Sequence, residues 1–140
     1  MLINDRADIA QAAGADGVHL TASSLPATTV RRTFGDDFLI GVSTHSLAEV
    51  RAARDEGADF AVFGPVFETV SKRIYGEPVG LGSLASAATE VAPFPIIALG
   101  GVTVSNASDC LGAGAAGVAG ISLFNQAEDL EDILRVIRGR

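Results

Sequence analysis

The sequence is poor in the features that mark several large classes of protein. It has one cysteine, Cys110, which rules out an internal disulfide and any site built from several cysteines. Cys110 falls between Asn106 and Gly114 in a stretch that reads as helix, so a packing role is expected. No apolar run approaches the roughly 18 to 20 residues needed to span a bilayer. The opening stretch from Met1 to Ala10 lacks the basic-then-apolar layout of a signal peptide, so a cytoplasmic location is the expectation. Cations are scarce as well: 10 Lys and Arg stand against 17 Asp and Glu, for a net charge of −7. The basic residues are scattered instead of forming a stripe, which argues against a nucleic-acid surface. An anionic ligand would therefore have to be attracted by local groups.

What the 140 residues do contain is apolar material, 48% of the chain against 19% charged, enough for one sizeable core and a single domain over 1–140. The apolar residues come in short continuous runs: Met1-Leu2-Ile3, Gly17 to Leu20, Leu39 to Val42, Phe60 to Phe63, Pro95 to Leu99 and Gly117 to Leu123. Such runs suit parallel strands covered on both faces. Between and after them lie stretches of helical character: Ala7–Ala13, Ala27–Phe34, Leu47–Glu56, Leu81–Val91, Ser105–Gly112 and Ala127–Ile137. Ser46 and Glu49 form a capping box, in which each side chain can satisfy the other residue's free backbone N–H. Three helix ends repeat one phrase, Gly14-Ala15-Asp16-Gly17, Gly57-Ala58-Asp59-Phe60 and Gly114-Ala115-Ala116-Gly117, each running straight into a strand. Glycine suits the left-handed position just past a helix.

This alternation predicts an α/β protein of repeated βα units. A doubly wound sheet would also fit, but the first strand is not followed by a Gly-x-Gly-x-x-Gly turn, and a partial TIM (β/α) barrel is the expected fold. A complete barrel has eight units and about 250 residues, so six units correspond to strands 3–8 with units one and two missing. Two glycine-bearing, nearly uncharged strand ends at the C-terminus place the gap there, because phosphate sites in such barrels come from the loops after the last two strands.

Chemistry is expected at the strand C-terminal ends, where the connecting segments are longer. Asn4-Asp5-Arg6 puts an amide, a carboxylate and a guanidinium after the first strand. Asp5 can offer an oxygen to Mg²⁺, which takes one or two carboxylates plus phosphate oxygens; the alternative is that it caps the following helix. Ser43 and Thr44 are expected at the mouth, while His19 and His45 suit hydrogen-bonded packing positions. The segment Gly64 to Lys72 presents Thr69, Ser71 and Lys72, two hydroxyls and an ammonium that could surround a phosphate; an exposed charged loop is the alternative for Lys72-Arg73. Gly100-Gly101 can bring backbone N–H groups close to an oxyanion, aided by a helix opening near Thr103 or Ser105, and Ile121-Ser122 can do the same from the last strand. Relief of crowding in a tight turn is the alternative for the glycines, but two such turns at the ends of the final two strands favour the phosphate reading.

Taken in order, Ile3-Asn4-Asp5-Arg6, Gly14 to Leu20, Gly41-Val42-Ser43, Gly64 to Phe67, Thr69 to Lys72 and Ala98 to Thr103 resemble the thiamine phosphate synthase/TenI family across nearly the whole chain. The resemblance implies a transferase of thiamine biosynthesis. Aminopyrimidine methyl diphosphate would lose pyrophosphate, and its methylene carbon would be attacked by the nitrogen of thiazole phosphate. It further implies that Asn4 binds the pyrimidine, Asp5 ligates Mg²⁺, Ser43 contacts the leaving pyrophosphate and Lys72 neutralises it. Thr69, Ser71, Gly101, Ile121 and Ser122 would hold the thiazole phosphate.

The chain also departs from the family pattern. Ser24 stands where a second Mg²⁺ carboxylate is usual, which implies a weakened metal site, and the strand that brings further donors to the diphosphate is absent. Pro65 stands where TenI proteins carry a catalytic histidine, and proline cannot transfer protons. The rival expectation is a TenI-like or non-catalytic domain that binds thiazole phosphate or a similar ligand. Exposed strand edges further predict a homo-oligomer or a partner that supplies the missing units.

Overall fold

The computed structural model describes residues 1–68, 77–125 and 130–138. Six strands form one parallel sheet: β1 (Leu2–Asn4), β2 (Gly17–Leu20), β3 (Leu39–Thr44), β4 (Phe60–Phe63), β5 (Ile96–Leu99) and β6 (Gly117–Ala119). Their order in the sheet is their order in the chain, β1-β2-β3-β4-β5-β6. A doubly wound sheet reverses its order at a switch point, and this sheet does not. It is a half-barrel, as the repeat pattern predicted.

The helices are α1 (Ala7–Ala12), α2 (Ala27–Phe34), α3 (Leu47–Asp55), α4 (Gly80–Val91), α5 (Ala107–Gly112), α6 (Ile121–Asn125) and α7 (Leu130–Arg138). The first five each bury a pair spaced i, i+3: Ala7 and Ala10, Ala27 and Val30, Val50 and Ala53, Leu84 and Ala87, Ala107 and Cys110. That spacing puts both side chains on one helical face. Most of these residues are small, so the helices lie close against the sheet.

The strands answer with alternate residues. Val18, Leu20 and Ile40 pack with α1 and α2, and Ala61, Phe63, Ile96 and Ala98 pack with α3 to α5. Truncating a fully buried side chain such as Leu84 to Ala is worth about 3 kcal/mol by the usual cost of an unfilled core site. Cys110 is fully buried in this layer, in the packing role expected of it. Burial, with the Asp109 charge as a lesser cause, pushes its thiol pKa up.

The repeated turn phrase behaves as predicted at the backbone, since Gly14, Gly57 and Gly114 all have positive φ. The aspartates of the phrase do more. Asp59 Oδ2 accepts hydrogen bonds from the Ile40 N–H at 2.6 Å and from Arg31 Nη2 at 2.8 Å. Arg31 also donates to the carbonyls of Gly35, Phe38 and Gly57. One largely buried guanidinium thus ties the end of α2, the entry to β3 and the α3–β4 turn together at the N-terminal edge of the sheet.

Three local expectations are corrected. The apolar run from Gly117 was expected to stay extended to Leu123, but β6 ends at Ala119 and the chain turns at Gly120 into α6. The fifth helix was expected to open near Thr103 or Ser105, but it opens at Ala107. Its first turn is preceded by a loop in which the Thr103 N–H donates to Asn106 Oδ1 at 2.7 Å. The capping box is half formed: Ser46 Oγ accepts from the Glu49 N–H, but Glu49 Oε2 accepts from the N–H of His45 and not of Ser46.

Candidate functional site

Because all six strands are parallel, their C-terminal ends lie along one edge of the sheet. Asn4, Asp5, Ser43, Gly100, Gly101, Ile121 and Ser122 all fall at that edge. They divide into two groups, one on β1 to β3 and one on β5 and β6. Asp5 and Ser122 are five strand spacings apart, about 24 Å along the curved sheet.

In the first group Asp5 is at φ +64, the one non-glycine residue with positive φ among the described residues. Left-handed backbone is costly for most side chains and better tolerated by Asp. Asp5 does not cap α1, whose N-terminus has no side-chain cap. Its Oδ1 accepts instead from Ser24 Oγ at 2.5 Å, and Ser24 Oγ accepts from the Thr21 N–H at 2.8 Å. Next to this pair, Arg6 binds Asp8, and the guanidinium holds the Asp8 carboxyl down to about 2.

A magnesium ion takes few carboxylates and completes its shell with phosphate oxygens and water. Asp5 offers one carboxylate, and no three His, Cys, Asp or Glu residues cluster among the described residues. That donor set fits an ion shared with a diphosphate, and it does not fit a cage made by protein alone.

On β2 and β3 the faces alternate. Ser43 lies on the face away from the helices, but Thr44, expected at the mouth with it, points the other way. Thr44 is 1% exposed and donates to the Val62 carbonyl at 3.2 Å. Adjacent residues of a strand cannot share a face. Ser43 Oγ is hydrogen-bonded at 2.8 Å to His19 Nε2, a contact that the sequence did not reveal. Half-burial lowers the His19 pKa, which favours the neutral ring with its single N–H. His45 Nδ1 contacts the Gly64 carbonyl, in keeping with a packing role.

The second group surrounds a cleft of about 360 Å³ lined by Glu68, Gly100, Gly101, Gly120, Ile121 and Ser122 among others. The two glycines are required by their neighbours. A Cβ on Gly100 would stand 2.5 Å from Pro65 Cα, and one on Gly101 would stand 2.7 Å from the Glu68 carbonyl oxygen. The loop after β4 is laced to the loop after β5 through the Val66 N–H to the Leu99 carbonyl at 2.8 Å and the Phe67 N–H to the Gly100 carbonyl at 3.0 Å. Asn106, which the sequence did not single out, donates from Nδ2 to the Gly101 carbonyl while its Oδ1 holds Thr103. Ile121 and Ser122 reach the cleft from the first turn of α6 and not from a strand end, and Ile121 is 78% exposed. Thr69, Ser71 and Lys72 lie outside the described residues.

Residues 1–124 match the family model described as thiamine monophosphate synthase. The chain belongs to the thiamine monophosphate synthase family. It is 53% identical over 137 residues to a putative thiamine-phosphate synthase of Geobacter sulfurreducens, covering 98% of this chain and 64% of that protein. It is 45% identical over 138 residues to a thiamine-phosphate synthase of Chlorobium limicola, covering 99% of this chain and 65% of the relative. A solved thiamine phosphate pyrophosphorylase from Pyrococcus furiosus superposes with a TM-score of 0.84 at 33% identity, over 99% of this chain and 65% of that one. The chain thus spans a little under two thirds of the length of these members of the thiamine monophosphate synthase family. No helix among the described residues is long and apolar enough to cross a membrane.

Proposed function

We propose that this chain carries the nucleophile-binding and leaving-group half of a thiamine phosphate synthase active site. That site would join aminopyrimidine methyl diphosphate to thiazole phosphate with release of pyrophosphate. The observation that carries the reading is the cleft between Gly100-Gly101 and Gly120-Ser122, on the same sheet edge as Asp5 and Ser43, in a chain of this family.

The chemistry asks little covalent work of the protein. As the bond from the methylene carbon to the diphosphate oxygen lengthens, positive charge grows on the pyrimidine and negative charge on the departing oxygen. Catalysis then rests on holding the leaving charge and aiming the thiazole nitrogen at the carbon. Asn4 would hold the pyrimidine through its amide. Ser43 and Lys72 would donate to the departing pyrophosphate. Thr69, Ser71 and Ser122, with the backbone of Gly101 and Ile121, would grip the thiazole phosphate and fix its nitrogen. Bound magnesium, with Asp5 as its protein ligand, would neutralise diphosphate charge.

Incubating the purified chain with both substrates and magnesium tests the reading: pyrophosphate release supports it, and none refutes the catalytic part. One observation favours a second reading, a domain that binds thiazole phosphate without turnover: Ser24 donates to the Asp5 carboxylate and adds no second charge beside it. Calorimetry separates the two, because tight thiazole phosphate binding that magnesium leaves unchanged supports binding without turnover. We further propose that the 140-residue chain is a homo-oligomer, since β1 and β6 each pair on one side alone among the described residues.

A further inference from the structure

The inner face of the sheet carries an arrangement drawn from four strands, β1 to β4. Asn4, His19, Gly41 and Phe60 stand side by side in one register row, and Ser43 is the next residue of β3 on the same face. Gly41 leaves a gap in that row, which the Phe60 ring fills, with the His19 imidazole against its edge. A Cβ on Gly41 would lie 3.0 Å from His19 Nδ1 and 2.4 Å from Phe60 Cζ. The imidazole runs past Gly41, and its far nitrogen reaches Ser43 Oγ at 2.8 Å. The Phe60 ring requires the glycine, and the imidazole beside it on β2 meets the hydroxyl two residues beyond that glycine on β3.

A serine that serves an anion must donate its only proton to it. A partner that accepts that proton competes with the anion, whereas a partner that donates to the serine oxygen leaves the proton free and strengthens it as a donor. We infer that His19 is a positioning residue for Ser43: its Nε2–H donates to Ser43 Oγ and so directs the serine proton to a diphosphate oxygen. The inference rests on the proposed contact of Ser43 with the leaving pyrophosphate and adds to it the residue that orients that contact.

Two measurements on the full chain test it. The first is calorimetric binding of inorganic pyrophosphate. Ser43→Ala and His19→Ala should each weaken binding about tenfold, the usual scale for one hydrogen bond to a charged group. The double variant should be no weaker than Ser43→Ala. His19→Gln, which keeps an N–H donor at similar reach, should recover most of the loss while His19→Ala does not. Independent losses that multiply in the double variant would mean that His19 acts on the fold in general, and would overturn the inference.

The second measurement is the ¹⁵N spectrum of the imidazole and needs no ligand. A protonated Nε2 whose resonance shifts in Ser43→Ala supports the inference, and a protonated Nδ1 with a bare Nε2 overturns it. Failure of the wild-type chain to bind pyrophosphate would count against the proposed function, and the spectrum would still decide the hydrogen-bond direction.

Discussion

Substituting Asp5 separates what its backbone costs from what its carboxylate does. A non-glycine residue in left-handed backbone gives up about 1–2 kcal/mol, and Asp5 sits at φ +64 with Ser24 Oγ donating to it. Asp5→Gly relieves that strain. It also loses a hydrogen bond worth about 1 kcal/mol and adds about 0.7 kcal/mol of unfolded-chain freedom, so stability should stay within ~1 kcal/mol of the parent. Asp5→Ala loses the same hydrogen bond and takes on a side chain that tolerates the left-handed region less well than Asp, for a net loss of about 2 kcal/mol. Asp5→Asn keeps the shape, the acceptor and the tolerance of positive φ, and should change stability by less than about 0.5 kcal/mol.

Urea unfolding followed by circular dichroism measures all three. Pyrophosphate calorimetry with and without magnesium then reads the charge: Asp5→Asn should abolish any gain in binding from magnesium. Equal destabilisation by Gly and Ala would refute the strain argument. A magnesium effect that survives in Asp5→Asn would refute the metal role.

Arg31→Ala should lower unfolding stability by about 2 kcal/mol, less than the scale for a fully buried charge pair because Asp59 is partly exposed, yet loses its guanidinium; a loss under about 0.5 kcal/mol in urea would contradict this. His19 has a folded pKa below the ordinary histidine value, so the unfolded chain binds more protons as pH falls below about 6.5. Stability should therefore decline from pH 7 to pH 5, and the part of that decline due to His19 should vanish in His19→Gln when thermal unfolding is compared across the range. Light scattering of the 140-residue chain at micromolar concentration should report a species larger than a monomer; a strict monomer would count against self-association.

The architecture was readable because its signals are local. Apolar runs, the Gly-Ala-Asp turns and the i, i+3 pairs of each helix all sit within a dozen residues. The error at Ile121 came from the same kind of signal, since a short apolar run reads alike as strand or buried helix; the turn at Gly120 is what separates them. Thr44 was misplaced although alternation along a strand forbids it from sharing a face with Ser43. The site was legible as residue types at strand ends and not as contacts. Ser24 with Asp5, His19 with Ser43 and Asn106 with Gly101 are partners fixed by turns and by strand register, and no spacing rule in the sequence announces them.

The unreversed strand order has a consequence for how the chain acquires its structure. Among the described residues every strand pairs only with its neighbours in sequence, so each pairing needs no more than the adjacent βα unit. Each closure spans one βα unit, from Leu2–Gly17 at the shortest to Ala61–Ile96 at the longest, and the entropy of closure grows only slowly with that length. The molecule can grow one βα unit at a time from any nucleus, in the nearest-neighbour fashion of repeat arrays. Native-state hydrogen exchange should then divide the sheet into neighbouring blocks of graded protection, lowest at β1 and β6, and not into one block that opens as a whole.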